Sequence, residues 1–138
     1  MSRITTLIIL HCSATRVDRS YSFRQCQEDH LRRGYCDIGY HYYITRDGTI
    51  HPGRPLSQVG AHCLNHNKHS IGICYEGGLN ASGRPADTRT PEQKTALRQL
   101  LVELKRDYPQ AFIVGHNTFS NKACPCFDAA AEYADLQP

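Results

Sequence analysis

The chain has 138 residues, a formal charge of +3 with histidine neutral, 40% hydrophobic residues, eight tyrosines and no tryptophan. That length fits one domain over residues 1–138, burying roughly 65–70% of the surface its unfolded chain exposes, so a core forms without disulfide staples. The basic residues are spread along the chain rather than blocked, which argues against a nucleic-acid partner and reads as a solvated surface.

The chain opens MSRITTLIILHC. The apolar run at 4–10 is too short for a membrane span and lacks the cleavage site of a signal peptide. The expectation is a protein made in the cytoplasm, with no export signal of its own and no membrane partner. The run is rich in β-branched and aliphatic residues and predicts a buried strand over 5–10, which delivers His11 and Cys12 at its end. Seven cysteines, at 12, 26, 36, 63, 74, 124 and 126, are an odd number and predict free thiols in a reducing compartment.

Residues 15–21 are short and polar, a loop. Ser22 caps a predicted helix that runs to about Arg33, with Phe23, Cys26, His30 and Leu31 near one face and Gly34 as its stop. Within GYHYYITRDGTIHPG, residues Tyr40, Tyr42 and Ile44 alternate with His41, Tyr43 and Thr45, a strand pattern. Asp47-Gly48 is a hairpin turn and residues 49–51 begin the return strand. Residues 52–69 are rich in Gly, Pro, Asn and His and predict a loop. SIGICY at 70–75 is a second apolar strand, ended by Gly77-Gly78.

Residues 79–89 predict a surface loop. Thr90, Pro91 and Gln93 then give a helix start in three agreeing signals: a capping hydroxyl, proline at the first helical position and glutamine three residues after the cap. Leu97, Leu100, Leu101 and Leu104 follow at helical spacing, and Pro109 marks the end. A short strand at 112–114 feeds Gly115-His116, and residues 128–133 predict a last helix. Strands alternating with helices define an α/β domain, and the hairpin makes its central sheet mixed, with helices on its flanks.

The chemistry concentrates in VGHNTFSNKACPC at 114–126. His116 and Cys124 can reach one metal ion across a loop, and His11, past the first strand, is the natural third ligand. Parallel neighbouring strands end at the same edge, so both imidazoles can face one point. Two imidazole nitrogens and a thiolate make a three-ligand zinc site whose fourth tetrahedral position is open to water, the catalytic arrangement. Against this stand blander readings: histidines hydrogen-bonded at the surface, and a structural pair formed by Cys124 and Cys126. No HExxH helix is present, and Glu28, Glu76 and Glu92 lie in contexts that do not bring them to a metal.

LHCSAT at 10–15, GYHYYITRDGT at 39–49, VGAH at 59–62, SIGI at 70–73, and His116 followed by Lys122-Ala123-Cys124-Pro125 and Phe127-Asp128 occur in that order over nearly the whole chain. In this the sequence resembles the zinc-dependent N-acetylmuramoyl-L-alanine amidases, relatives of the peptidoglycan recognition proteins. The resemblance implies one Zn2+ per chain on His11, His116 and Cys124, with Tyr40 and Lys122 as the non-ligand catalytic residues. It implies a peptidoglycan substrate, cut between the lactyl group of N-acetylmuramic acid and the L-alanine of the stem peptide. It also implies a monomer that acts on the cell wall after release.

The loop of VGAH makes His62 the first choice for a substrate contact, with Asn67 and His69 beside it. Read without the resemblance, Tyr40 is a strand tyrosine packed under the hairpin, Lys122 a solvated loop lysine and His62 a surface histidine. His41 alternates away from Tyr40 and is expected to support the sheet or the metal's surroundings. Cys126 falls where relatives carry a small residue, and a thiol two positions from Cys124 is able to compete for the metal or oxidise with it, which leaves its role open.

Two further functions stand beside the amidase. Some members of the recognition-protein branch bind peptidoglycan without cutting it, but those lose a ligand, commonly the cysteine, which is present here. A phage enzyme of this family also binds RNA polymerase, partly through an N-terminal segment that is shortened in this chain.

Overall fold

The computed structural model describes residues 3–138. Its centre is β1 (Leu7–Cys12), a strand with Ile8, Ile9 and Leu10 at 0–1% exposure. Such a run has no polar face to offer water, so β1 must lie inside a sheet covered on both sides. It pairs in parallel with β5 (Ser70–Tyr75) on one side and with β7 (Phe112–Gly115) on the other. Beyond β5 come β3 (Tyr42–Ile44), also parallel, and β4 (Ile50–Pro52), antiparallel to β3 across the hairpin. The order β4-β3-β5-β1-β7 is the mixed sheet expected. Gly48 holds the hairpin turn at φ +84, where a β-carbon would be strained, and Asp47 accepts from the Thr49 N–H at 3.0 Å.

Alternation along the strands sorts the core into two layers. Ile8 and Leu10 of β1, Ile71, Ile73 and Tyr75 of β5, and Ile44 of β3 pack on the leucines of α2 (Pro91–Asp107). The opposite face carries Cys74, Tyr43 and Ile38, covered by Cys26 and Phe23 of α1 (Phe23–Arg32). Both helices begin with a full capping box, Ser22 with Gln25 and Thr90 with Gln93. Gln93 is fully buried and also donates from Nε2 to the carbonyls of Ile44 and Glu76, tying α2 to two strand ends.

Several boundaries differ from those predicted. β1 starts two residues later and runs through His11 and Cys12 rather than ending before them, because both pair with β5. Tyr40 and His41 precede β3 in a bend rather than lying in it. The loops predicted at 15–21 and 79–89 hold part of a two-stranded parallel sheet, β2 (Thr15–Arg16) with β6 (Gly78–Leu79), too short to leave a pattern in sequence. The last helix shrinks to one turn, α3 (Ala129–Glu132), capped by Asp128.

Two contacts fasten this C-terminal segment. The Arg89 guanidinium is 0% exposed; it binds Asp87 and Glu132 at 2.7–2.9 Å, donates to the Tyr133 hydroxyl, and lies 3.5 Å over the Phe127 ring. Gln137 pairs its carboxamide with the backbone of Ile113, accepting from the N–H at 2.9 Å and donating to the carbonyl at 2.8 Å.

Candidate metal centre and catalytic cleft

Because β1 and β7 are parallel neighbours with Leu10 opposite Gly115, His11 and His116 leave the sheet at the same edge, their rings 4.7 Å apart. Clefts at the carboxyl ends of strands are where open α/β sheets place their sites. The loop after β7 turns back so that Asn117 N–H donates to the Cys124 carbonyl at 2.8 Å, which brings the Cys124 thiol over the end of β1. There Sγ accepts from the Cys12 N–H at 3.2 Å and lies 3.9 Å from His11 Nδ1. Donor atoms of His11, His116 and Cys124 all lie within 4.8 Å of one another. A tetrahedral zinc with ordinary bond lengths sets its ligand atoms about 3.4–3.6 Å apart, so small side-chain adjustments close the site.

The electrostatics suit a cation. Burial holds His11 well below the usual imidazole range, with the neighbouring His62 and His116 adding to it. Burial, then the Lys122 charge, lowers His116 as well. Both rings are therefore neutral at pH 7, with lone pairs free to bind. The Cys124 thiol is lowered, chiefly by its hydrogen bond with Cys12, whose own thiol is pushed up in exchange. Two neutral imidazoles and a cysteine poised to ionise are the donor set of a zinc site.

The trio sits in a cavity of about 460 Å³, whose lining also includes Tyr40, His62 and Lys122. The Tyr40 ring lies 5.2 Å from His11 and 5.5 Å from His30. Burial, helped by the Cys74 thiol, raises its phenol well above 10, so it remains a proton donor across the physiological range. Lys122 is exposed in the lining, two residues from Cys124 on the same loop. Glu76, the one buried glutamate, accepts from the N–H groups of Tyr21 and Arg46 and braces loops away from the trio, as the sequence led us to expect.

Of the three expected substrate contacts, His62 and Asn67 line this cavity and His69 does not. His69 closes the 3-10 turn Asn67–His69 and packs edge-on against His66. Asn67 faces inward to shape the loop, its Oδ1 accepting from the N–H groups of His62 and Cys63. His62 bonds the metal-ligand candidate His11, Nδ1 to Nε2, at 2.9 Å. His41 is buried, bonded from Nε2 to the Gln58 carbonyl, with Nδ1 accepting from the Gly72 N–H. The far end of the cavity is built by His30 and Arg33 at the end of α1 and by Tyr35 just beyond it. Sequence reasoning did not assign these to the site; the only signal was Gly34 stopping the helix beside them.

Cys126 lies beside a different thiol. Its φ of +73 turns the side chain away from the trio, so its Sγ donates to the Gly78 carbonyl and lies 3.9 Å from Cys12 Sγ. Its near thiol is Cys12, not Cys124, and all seven cysteines are free.

The sheet and the trio on its carboxyl edge define a class. The chain belongs to the N-acetylmuramoyl-L-alanine amidase family, whose sequence pattern matches residues 1–127. It is 44% identical over 124 residues to an endolysin of Klebsiella phage KP32, covering 90% of this chain and 82% of that one. Among solved structures it is similar to the N-acetylmuramoyl-L-alanine amidase LysC of Clostridium intestinale, with a TM-score of 0.78, 31% identity, and 94% and 81% of the two chains covered. Drosophila PGRP-LB gives the same TM-score at 26% identity, over 97% and 82% of the two chains.

Proposed function

We propose that this protein is a zinc-dependent hydrolase of bacterial peptidoglycan, one domain and one Zn2+ per chain, that cleaves the amide between N-acetylmuramic acid and the L-alanine of the stem peptide. The observation that carries the reading is the convergence of His11, His116 and Cys124 within 4.8 Å on the floor of a cleft that also holds Tyr40 and Lys122. A binding module needs no such trio. The zinc, when bound, supplies a nucleophile at neutral pH and polarises the scissile carbonyl.

The chain's own residues do the rest. His11, His116 and Cys124 would hold the ion where they line the cleft. Lys122, on the same loop as Cys124, lines the cleft, where its ammonium meets the charge that develops on the carbonyl oxygen. Tyr40, protonated and packed near His11, orients the attacking water and relays that water's proton to the leaving nitrogen, ending protonated as it began. His62 and Asn67 present the loop wall that the muropeptide lies against. The protein works as a monomer, made inside the cell and released to the wall.

The test is metal content and wall digestion on one sample. About one zinc per chain, with free stem peptides beginning in L-alanine and intact glycan strands released, is the expected result. Reducing sugar ends in place of free stem peptides would mean that the glycan, not the amide, is cut. Zinc binding without any release would leave a binding protein.

A further inference from the structure

We infer that His62 is a positioning residue for the metal, fixing the ring of His11 so that Nδ1, rather than Nε2, is presented to the ion. This rests on the zinc reading above.

A histidine ligand offers one nitrogen to the metal and needs its other N–H held by an acceptor. In His11 the two nitrogens have separate neighbours: Nδ1 is the one 3.9 Å from the Cys124 thiol, and Nε2 is 2.9 Å from His62 Nδ1. Two proton arrangements fit that contact. With the proton on His62 Nδ1, His11 would carry its own proton on Nδ1, pointed at the ligand position. With the proton on His11 Nε2, the Nδ1 lone pair is free and His62 Nδ1 is the acceptor. Only the second is competent for metal, and it leaves His62 protonated on Nε2. That nitrogen has its own acceptor, Ser70 Oγ, at 3.2 Å. The line His11–His62–Ser70 thus ends in a hydroxyl able to receive the last N–H.

The fold makes room for this ring at the expense of side chains. A β-carbon on Gly72 of β5 would come within 2.5–2.7 Å of three His62 ring atoms, and one on Gly60 within 2.7 Å of its Cδ2. Asn67 pins the His62 backbone N–H at 2.9 Å, so the ring enters the slot from a fixed origin. The slot sets a geometry that a purely solvent-facing substrate contact does not need.

Zinc affinity, read by competition with a chromophoric chelator, tests this without reference to turnover. His62→Ala should bind zinc about 10–100-fold more weakly than wild type. His62→Asn, whose carboxamide oxygen falls near the place of Nδ1, should recover most of that loss. Unchanged affinity in His62→Ala overturns the inference. Equal weakness in the Ala and Asn variants also overturns it, since the ring then merely fills space. If His62→Ala fails to fold, Ser70→Ala decides: weakened binding supports the relay and unchanged binding overturns it. A wild type that binds no zinc overturns the metal reading itself, a result distinct from a zinc-binding wild type matched by its His62 variants.

Discussion

Leu10 of β1 and Gly115 of β7 are register partners, and the residue after each is a histidine of the metal trio. The two imidazoles are thus placed by the pairing of β1 with β7, and the third donor, Cys124, is brought to them by a loop. That division predicts which changes damage the site and which damage the fold.

Cys124→Ala removes the loop's donor and leaves the sheet untouched. Zinc should be lost and wall digestion abolished, while the far-ultraviolet circular dichroism of the variant matches that of zinc-free wild type. A variant that retains stoichiometric zinc would remove Cys124 from the ligand set.

Lys122→Ala deletes an exposed side chain that holds nothing in place. Zinc content should stay at wild-type level while kcat falls on the order of 10²–10³-fold. Full turnover in this variant would end the oxyanion role.

Tyr40→Phe keeps the ring packed against His11 and removes only the hydroxyl. The expected result is retained zinc and a loss in kcat of about 10²-fold or more. A phenylalanine variant that turns over normally would make Tyr40 a packing residue.

The metal-free fold should weaken in mild acid. Burial, reinforced by the Arg3 and Arg54 charges and opposed by the Gln58 carbonyl, holds His41 down to about 4, and His62 is held down to about 3. An unfolded histidine titrates near 6.5. Between those values the unfolded chain binds protons that the folded one does not, so stability is complete above about 6.5 and drains away as pH falls towards 4. Protonating His41 also sets an N–H on Nδ1 against the Gly72 N–H that it now accepts. Urea unfolding of zinc-free protein should show a loss on the order of 5 kcal/mol between pH 7.5 and 4.5, about half from each ring. Equal stability at both values would mean that these rings are solvated.

Arg89→Met should cost about 3 kcal/mol in the same assay, because Asp87 and Glu132 lose the buried cation they share and Phe127 loses the guanidinium above it. A loss below about 1 kcal/mol would put the cluster among ordinary surface ion pairs.

Much of this was legible in the sequence where a local signal and a global one coincide. SIGICY reads as a buried strand and is one residue for residue, and Thr90-Pro91 with Gln93 marks the helix start that is found. The trio was legible because strand ends carry His11 and His116 and one loop carries Cys124. What stayed hidden depends on register between distant segments. That His62 lies in a slot over Gly72 follows from how the loop folds back on β5, and no spacing encodes it. The pairing of Cys126 with Cys12 depends on a positive φ that a cysteine rarely adopts. The placing of Arg89 beneath α3 joins residues 43 apart.

The carboxamide of Gln137 on Ile113 has a reach beyond its two hydrogen bonds. A strand at the rim of a sheet offers a row of free donors and acceptors on which a strand from another molecule can build. Gln137 occupies the middle of that row on β7 as a one-residue imitation of a neighbouring strand. At the opposite rim β4 ends in Pro52, which has no N–H to give. Crowded copies of this protein therefore find both borders of the sheet partly sealed against stacking rim to rim, a guard against aggregation built from a glutamine and a proline.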